Sequence, residues 1–86
     1  MRLRIPAREV ILAGRAPDSI SVHNVVPGTV GQIVRDDARR TVIVTVDLGQ
    51  GRLLARVTPD AVARLGLAPG VSLLALVKSS AIEVLP

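Results

Sequence analysis

Thr41-Val-Ile-Val-Thr-Val-Asp-Leu48, followed by Gly49-Gln50-Gly51 and then Arg52-Leu-Leu-Ala-Arg-Val57, decides the fold class. The first run is made largely of β-branched residues, which fit a pleated surface better than a helix. The glycines on either side of Gln50 permit a tight return, so the two runs predict an antiparallel hairpin. Thr58-Pro59-Asp60 then reads as a helix start. It has a hydroxyl for the N-cap, a proline at the first helical position, and a carboxylate beside the positive end of the dipole. Val62 and Leu65 give this helix an apolar side, and Gly66 stops it.

Working outward, Ile20–Val26 predicts a strand closed by a turn at Pro27-Gly28, and Thr29–Val34 predicts another. Asp36–Arg40 is a polar connection. Beyond the helix, Pro69-Gly70 turns the chain into a strand at Val71–Val77. Lys78-Ser79-Ser80 then leads to a last strand, Ala81–Leu85. Leu3–Leu12 reads as a strand bent near Pro6, and its pattern matches the other end of the chain, with Ile5 against Val77 and Val10 against Ile82. The first strand is therefore expected beside the last. This order predicts an all-β fold, a small oligomer-binding-type (OB-like) barrel of five to six strands with one short helix. Residues 1–86 form a single domain, with a lead-in strand over 1–13 and a core over 20–86.

Composition removes several function classes. With 49% hydrophobic residues the chain has the apolar surface that disordered segments lack. Such an excess in so small a domain predicts that another copy covers part of the surface, as a homo-oligomer of at least two. No apolar stretch is long enough to cross a membrane, and no leader-like run follows Met1, so direct membrane insertion is not expected. There is no cysteine, which excludes disulfides and thiolate metal sites and makes a reducing cytoplasm the expected compartment. A single His without Cys cannot fill a zinc site. The net charge of +4 calls for an anionic partner. Nucleic acid is disfavoured, because the chain has no aromatic ring on which to stack a base. The arginines are scattered along the chain, with no stripe among them. A small inorganic anion remains.

Three segments, in this order and spacing, resemble the molbindin family, also called the TOBE or molybdenum-binding domain. They are Ile20-Ser-Val-His-Asn-Val-Val-Pro-Gly-Thr-Val30, Val57-Thr-Pro-Asp-Ala-Val62 leading to Leu65-Gly-Leu-Ala-Pro-Gly70, and Ala75-Leu-Val-Lys-Ser-Ser80. The start, Arg4-Ile-Pro-Ala-Arg-Glu-Val-Ile-Leu12, is similar to the segment that precedes this domain in molybdate-transport ATPases. The resemblance implies an oxyanion-binding regulatory domain, for molybdate or tungstate, belonging to the ATPase subunit of a molybdate ABC transporter. It also implies an ATPase domain and a membrane permease as partners, and a cytoplasmic position at the inner face of the membrane. No Gly-x-x-x-x-Gly-Lys-Ser/Thr loop is present in these residues, so no catalytic residue is expected here.

By the same resemblance the oxyanion-binding residues are Ser21, His23, Thr58, Lys78 and Ser79. A tetrahedral dianion leaves water only where donors and positive charge replace its hydration. Lys78 offers a full charge and three donors, Ser21 and Ser79 offer hydroxyls, and Thr58 lies at the helix start, where N–H groups are unpaired. The chain departs from the family at His23, usually an arginine, at Pro6, often an arginine, and at Ala61, a serine in some relatives. Each departure removes a charge or a donor. Two other functions stay open: a free-standing cytoplasmic molybdate store, and a purely dimerising assembly domain with a silent site.

Overall fold

The structure is a computed structural model that describes residues 2–15, 24–49, 51–78 and 81–85. Among these, the hairpin forms as its residues dictate. Strand β4 (Thr41–Asp47) pairs antiparallel with β5 (Arg52–Val57), from Val42 opposite Val57 to Asp47 opposite Arg52. The return is closed by Leu48 N–H donating to the Gly51 carbonyl at 2.8 Å, and by the Asp47 carboxylate accepting from Gly49 N–H at 2.9 Å. Side chains alternate across a strand, and β4 shows it plainly: Val42, Val44 and Val46 are buried while Thr41, Ile43 and Thr45 are half-exposed.

Strand β3 differs from the expectation of two strands parted by a turn. Asn24–Asp36 is one strand of 13 residues running straight through Pro27-Gly28. Its first half, Asn24–Thr29, pairs with β6 (Ser72–Val77), and its second half, from Thr29 to Asp36, pairs with β4. The handover at Thr29 explains why the strand survives its proline. At Pro27 the β4 side of the strand is still an edge, and an edge tolerates a residue without an N–H. Gly28 serves close approach: a Cβ there would lie 2.5 Å from Val46 Cγ1. A register shift between Val30 and Ile33 adds a bulge, which bends the strand further. A dipeptide that reads as a turn in isolation is here a bend within a strand.

The ends of the chain pair as expected. Strand β1 (Arg2–Arg4) lies antiparallel to β7 (Glu83–Leu85), and β2 (Val10–Ala13) lies antiparallel to β6. A 3₁₀ turn at Ala7–Glu9 separates β1 from β2, with Glu9 N–H donating to the Pro6 carbonyl at 2.9 Å. The turn before β7 carries the same bond at the matching place, Ala81 N–H to the Lys78 carbonyl at 2.9 Å. Pro6 and Lys78 are therefore structural counterparts, as the alignment of Ile5 with Val77 requires.

The main sheet has the order β2-β6-β3-β4-β5, and β1-β7 forms a separate two-stranded sheet. The five-stranded sheet curls over one core that holds Val10, Leu12, Val30, Val44, Ala55 and Ala75, together with Leu67 from beyond the helix. This is the small, partly closed OB-like barrel that the sequence predicts. The helix α1 (Pro59–Leu65) starts at the predicted cap and ends at Gly66, whose φ of 63° is the left-handed conformation that glycine adopts without strain. Its apolar side is thinner than expected. Val62 packs on the core, but Leu65 stays exposed, and Leu67 supplies the buried leucine.

Candidate functional site

Two of the three motif segments become hydrogen-bonded neighbours. The pairing of β3 with β6 sets Asn24 opposite Val77, the residues that adjoin His23 and Lys78 in sequence. Ser21, His23 and Ser79 lie outside the described residues. Lys78 and Thr58 can be placed. Lys78 is exposed at the end of β6, where its carbonyl closes the turn to Ala81, while Val77 before it is buried between β2 and β3. A lysine in this position has a fixed backbone and an ammonium free to leave the sheet for solvent or ligand.

Thr58 is exposed at the end of β5 and caps α1, its Oγ1 accepting from Ala61 N–H at 3.1 Å. A hydroxyl has one donor and two acceptor positions, so this cap leaves the O–H available to an anion. The helix itself offers little. Pro59 has no N–H, Ala61's goes to Thr58 Oγ1, and Val62's goes to the Thr58 carbonyl at 3.2 Å. That leaves the N–H of Asp60, whose own carboxylate would repel an anion. At seven residues α1 also has a short dipole. The expected donation from a row of unpaired helix N–H groups is thus reduced to the Thr58 hydroxyl.

Lys78 and Thr58 end strands that are not neighbours, since β3 and β4 separate β6 from β5 in the sheet order. Among the described residues no hydrogen bond or ion pair joins them. Within one copy, then, the structure brings the first and third motif segments together and leaves Thr58 on a different strand end.

A wider cleft among the described residues lies elsewhere. It has a volume of about 550 Å³ and runs past Pro27–Thr29, Asp47–Gly49 and Ser72–Leu74. Its one charged wall residue is Asp47, so it does not suit an oxyanion. The structure does gather charge that the linear sequence scatters. Arg4, Arg8, Arg39 and Arg56 line a second cleft of about 470 Å³. Asp36 fixes two of them, accepting on Oδ2 from Arg56 Nη1 at 2.9 Å and from Arg39 Nη1 at 3.2 Å. These bonds, that from Arg56 first, hold the Asp36 carboxyl below the usual carboxylate range. Nothing in the spacing of four arginines on four separate elements announces this cluster.

Residues 20–84 match the TOBE domain model. The chain is 43% identical over 96 aligned residues to the molybdenum import ATP-binding protein ModC of Granulibacter bethesdensis, a match that covers 99% of this chain and 25% of that protein. It thus spans about a quarter of the length of the curated relatives it matches. Among solved structures, the cytoplasmic molybdate-binding protein ModG with molybdate bound superposes with a TM-score of 0.84 at 32% identity, covering 94% of this chain and 57% of that one. A molybdate-binding protein from Sporomusa ovata gives a TM-score of 0.69 at 37% identity, covering 79% of this chain and 98% of that one. The barrel, the order of the three motifs along it and these likenesses agree, and the chain belongs to the TOBE domain family.

Proposed function

We propose that this chain is the molybdate- or tungstate-binding regulatory domain of a molybdate-transport ATPase subunit. The observation that carries the reading is the likeness, over nearly the whole chain, to about a quarter of an import ATP-binding protein, joined to the superposition on a molybdate-bound fold. TOBE domains and their structural neighbours are binding domains, and any ATP hydrolysis would belong to the rest of the parent protein. Its ATPase domain and the permease would be the partners, and oxyanion binding would act by favouring one conformation of the transporter over another.

The proposed ligands are Ser21, His23, Thr58, Lys78 and Ser79. Lys78 supplies the charge, and the hydroxyls supply directional donors. Because Thr58 and Lys78 end non-neighbouring strands, a site that uses both is best completed between two copies. The surface favours such an assembly. Ile11 and Val25 lie on either side of Leu76, which is itself buried, and they remain 48% and 39% exposed. An apolar row of this kind is what a second copy would cover.

Calorimetric titration of the chain with molybdate, tungstate and sulfate tests the reading. Molybdate and tungstate should bind, and Lys78→Ala should weaken them about ten- to a hundredfold, the worth of a charge-assisted hydrogen bond of roughly 1.5–3 kcal/mol. No binding by the unaltered chain would leave only the assembly role. The likeness to a free cytoplasmic molybdate-binding protein favours one second reading, storage. Isolation of the native protein decides between them: recovery with permease and ATPase supports regulation, and recovery alone, loaded with several oxyanions, supports storage.

A further inference from the structure

We infer that the edge formed by β6 and β7 is a docking surface for one kind of segment, strand–turn–strand, and that the tail of a second copy (residues 74–85) fits it in place of the chain's own lead-in. The lead-in pairs with the tail through two ladders, β1 with β7 and β2 with β6. Both arms advance by the same number of residues between the first pair, Arg2 opposite Leu85, and the last, Ala13 opposite Leu74. The two ladders therefore share one unbroken antiparallel register, although they belong to different sheets.

This ribbon has a local two-fold symmetry that a chance pairing of two segments would lack. Exchanging the arms puts Arg2 in the place of Leu74 and Ala13 in the place of Leu85. The pairs Arg2–Leu85, Leu3–Val84 and Arg4–Glu83 then become Leu74–Ala13, Ala75–Leu12 and Leu76–Ile11, each of which is a pair of the other ladder. The turns coincide as well: Glu9 N–H donates to the Pro6 carbonyl and Ala81 N–H to the Lys78 carbonyl, both at 2.9 Å. The side chains follow. Val10 and Val77 are buried in the core, and Ile5 and Ile82, which the exchange puts in the places of Val77 and Val10, pack partly buried against it. An edge that takes the lead-in through a backbone ladder and these apolar positions offers the same fit to the tail.

A second tail is the occupant that the molecule itself supplies. The family match covers residues 20–84, so the docking edge belongs to the domain and the lead-in that fills it lies outside. The tail has Lys78 and Glu83 as its charged residues, so two tails meet without net repulsion. Within one copy the lead-in prevails for two reasons. Arg4 stands opposite Glu83, and a tethered segment acts at an effective concentration on the order of millimolar. A second copy's tail therefore enters only where the lead-in is drawn off, and it brings Lys78 to the place of Pro6, adding a cation to that turn. The lead-in thus works as an internal plug on an assembly edge.

The test exchanges the arms in the whole chain. A chimera carries the sequence of residues 74–85 at positions 2–13, and a control carries it one position out of register. The chimera should keep a cooperative transition, with a melting temperature within about 10 °C of the unaltered chain. The control should fall further, because a one-residue slip turns every side chain to the other face. In trans, a labelled peptide of residues 74–86 is titrated against the unaltered chain and against Val10→Asp/Leu12→Asp, whose carboxylates at core positions expel the lead-in. The variant should bind the peptide at least about tenfold more tightly than the unaltered chain, whose edge is already filled. A chimera that fails to fold, or that is no more stable than its control, overturns the inference. So does a variant that does not bind the tail peptide, whether or not it binds a peptide of residues 1–13. Neither readout involves an oxyanion, so the outcome is independent of the proposed function.

Discussion

Arg56 on β5 reaches past β4 to Asp36 at the end of β3, its Nη1 donating to Oδ2 at 2.9 Å across 20 residues of sequence. The same nitrogen donates to Thr41 Oγ1 at 2.7 Å, so one guanidinium ties together three consecutive strands of the sheet. Both partners are partly shielded, which sets this pair apart from the more exposed ion pairs of Arg8 and Arg64.

The pair predicts an acid-labile share of stability. Hydrogen bonds from Arg56 and Arg39 lower the folded-state pKa of Asp36, so the folded state binds its proton less readily than the unfolded chain. The stabilisation is complete above the ordinary carboxylate range near 4 and disappears as pH falls through the lower folded value. Chemical denaturation at pH 7 and at pH 3 or below should show Asp36→Asn less stable than the unaltered chain at the higher pH. The gap should close at the lower one. A gap that stays constant across this range would show that the carboxylate charge is not what stabilises.

Gly28 sits where β3 passes from β6 to β4. A methyl group there would meet Val46 Cγ1 at 2.5 Å and the Asp47 carbonyl at 3.1 Å, one of them in the core and the other backbone. Gly28→Ala should cost about 1–3 kcal/mol, the usual penalty of overpacking. Gly14→Ala, with nothing within 4 Å, should be neutral to within about 0.5 kcal/mol. Equal denaturation midpoints for the two variants would mean that the strands part easily at this bend.

Thr58 has two roles to separate, the cap and the anion donor. Thr58→Ala should lower stability by about 1 kcal/mol through loss of the cap, and Thr58→Ser should restore it. Thr58→Asp caps equally well but sets a carboxylate where the proposed dianion docks. It should keep the melting temperature and lose molybdate affinity. Full affinity in the Asp variant would remove Thr58 from the site.

His23 stands where the family usually has an arginine. An imidazole with its ordinary pKa near 6.5 loses its charge over the range in which a guanidinium keeps it. If it faces a dianion, binding takes up a proton, so molybdate affinity should fall as pH rises from about 6 to 8. His23→Arg should flatten this slope and tighten binding at pH 8. An unaltered chain whose affinity is level over this range would make His23 a bystander.

Local chemistry was enough to read the hairpin at β4 and β5 and the helix from its Thr58 cap to Gly66, and the matching pattern of the two chain ends was enough to read the pairing of first strand with last. β-branched runs, caps and glycine returns act over a few residues, so they show in the sequence whatever surrounds them. The family's motifs likewise pointed to Lys78 and Thr58 as proposed ligands, because motif residues keep their order and spacing along the chain. Three things needed the tertiary structure. Pro27-Gly28 bends one strand instead of ending it, because β4 begins to pair only at Thr29 and leaves an edge that accepts proline. Leu67 fills the core in place of Leu65, since the left-handed turn at Gly66 redirects the chain before the helix face is buried. The arginine cleft exists because curling the sheet carries Arg4 and Arg8 up to Arg39 and Arg56, and a carboxylate 20 residues from Arg56 then locks it in place. Through-space electrostatics depends on distances that the fold creates, and these have no counterpart in the order of residues along the chain.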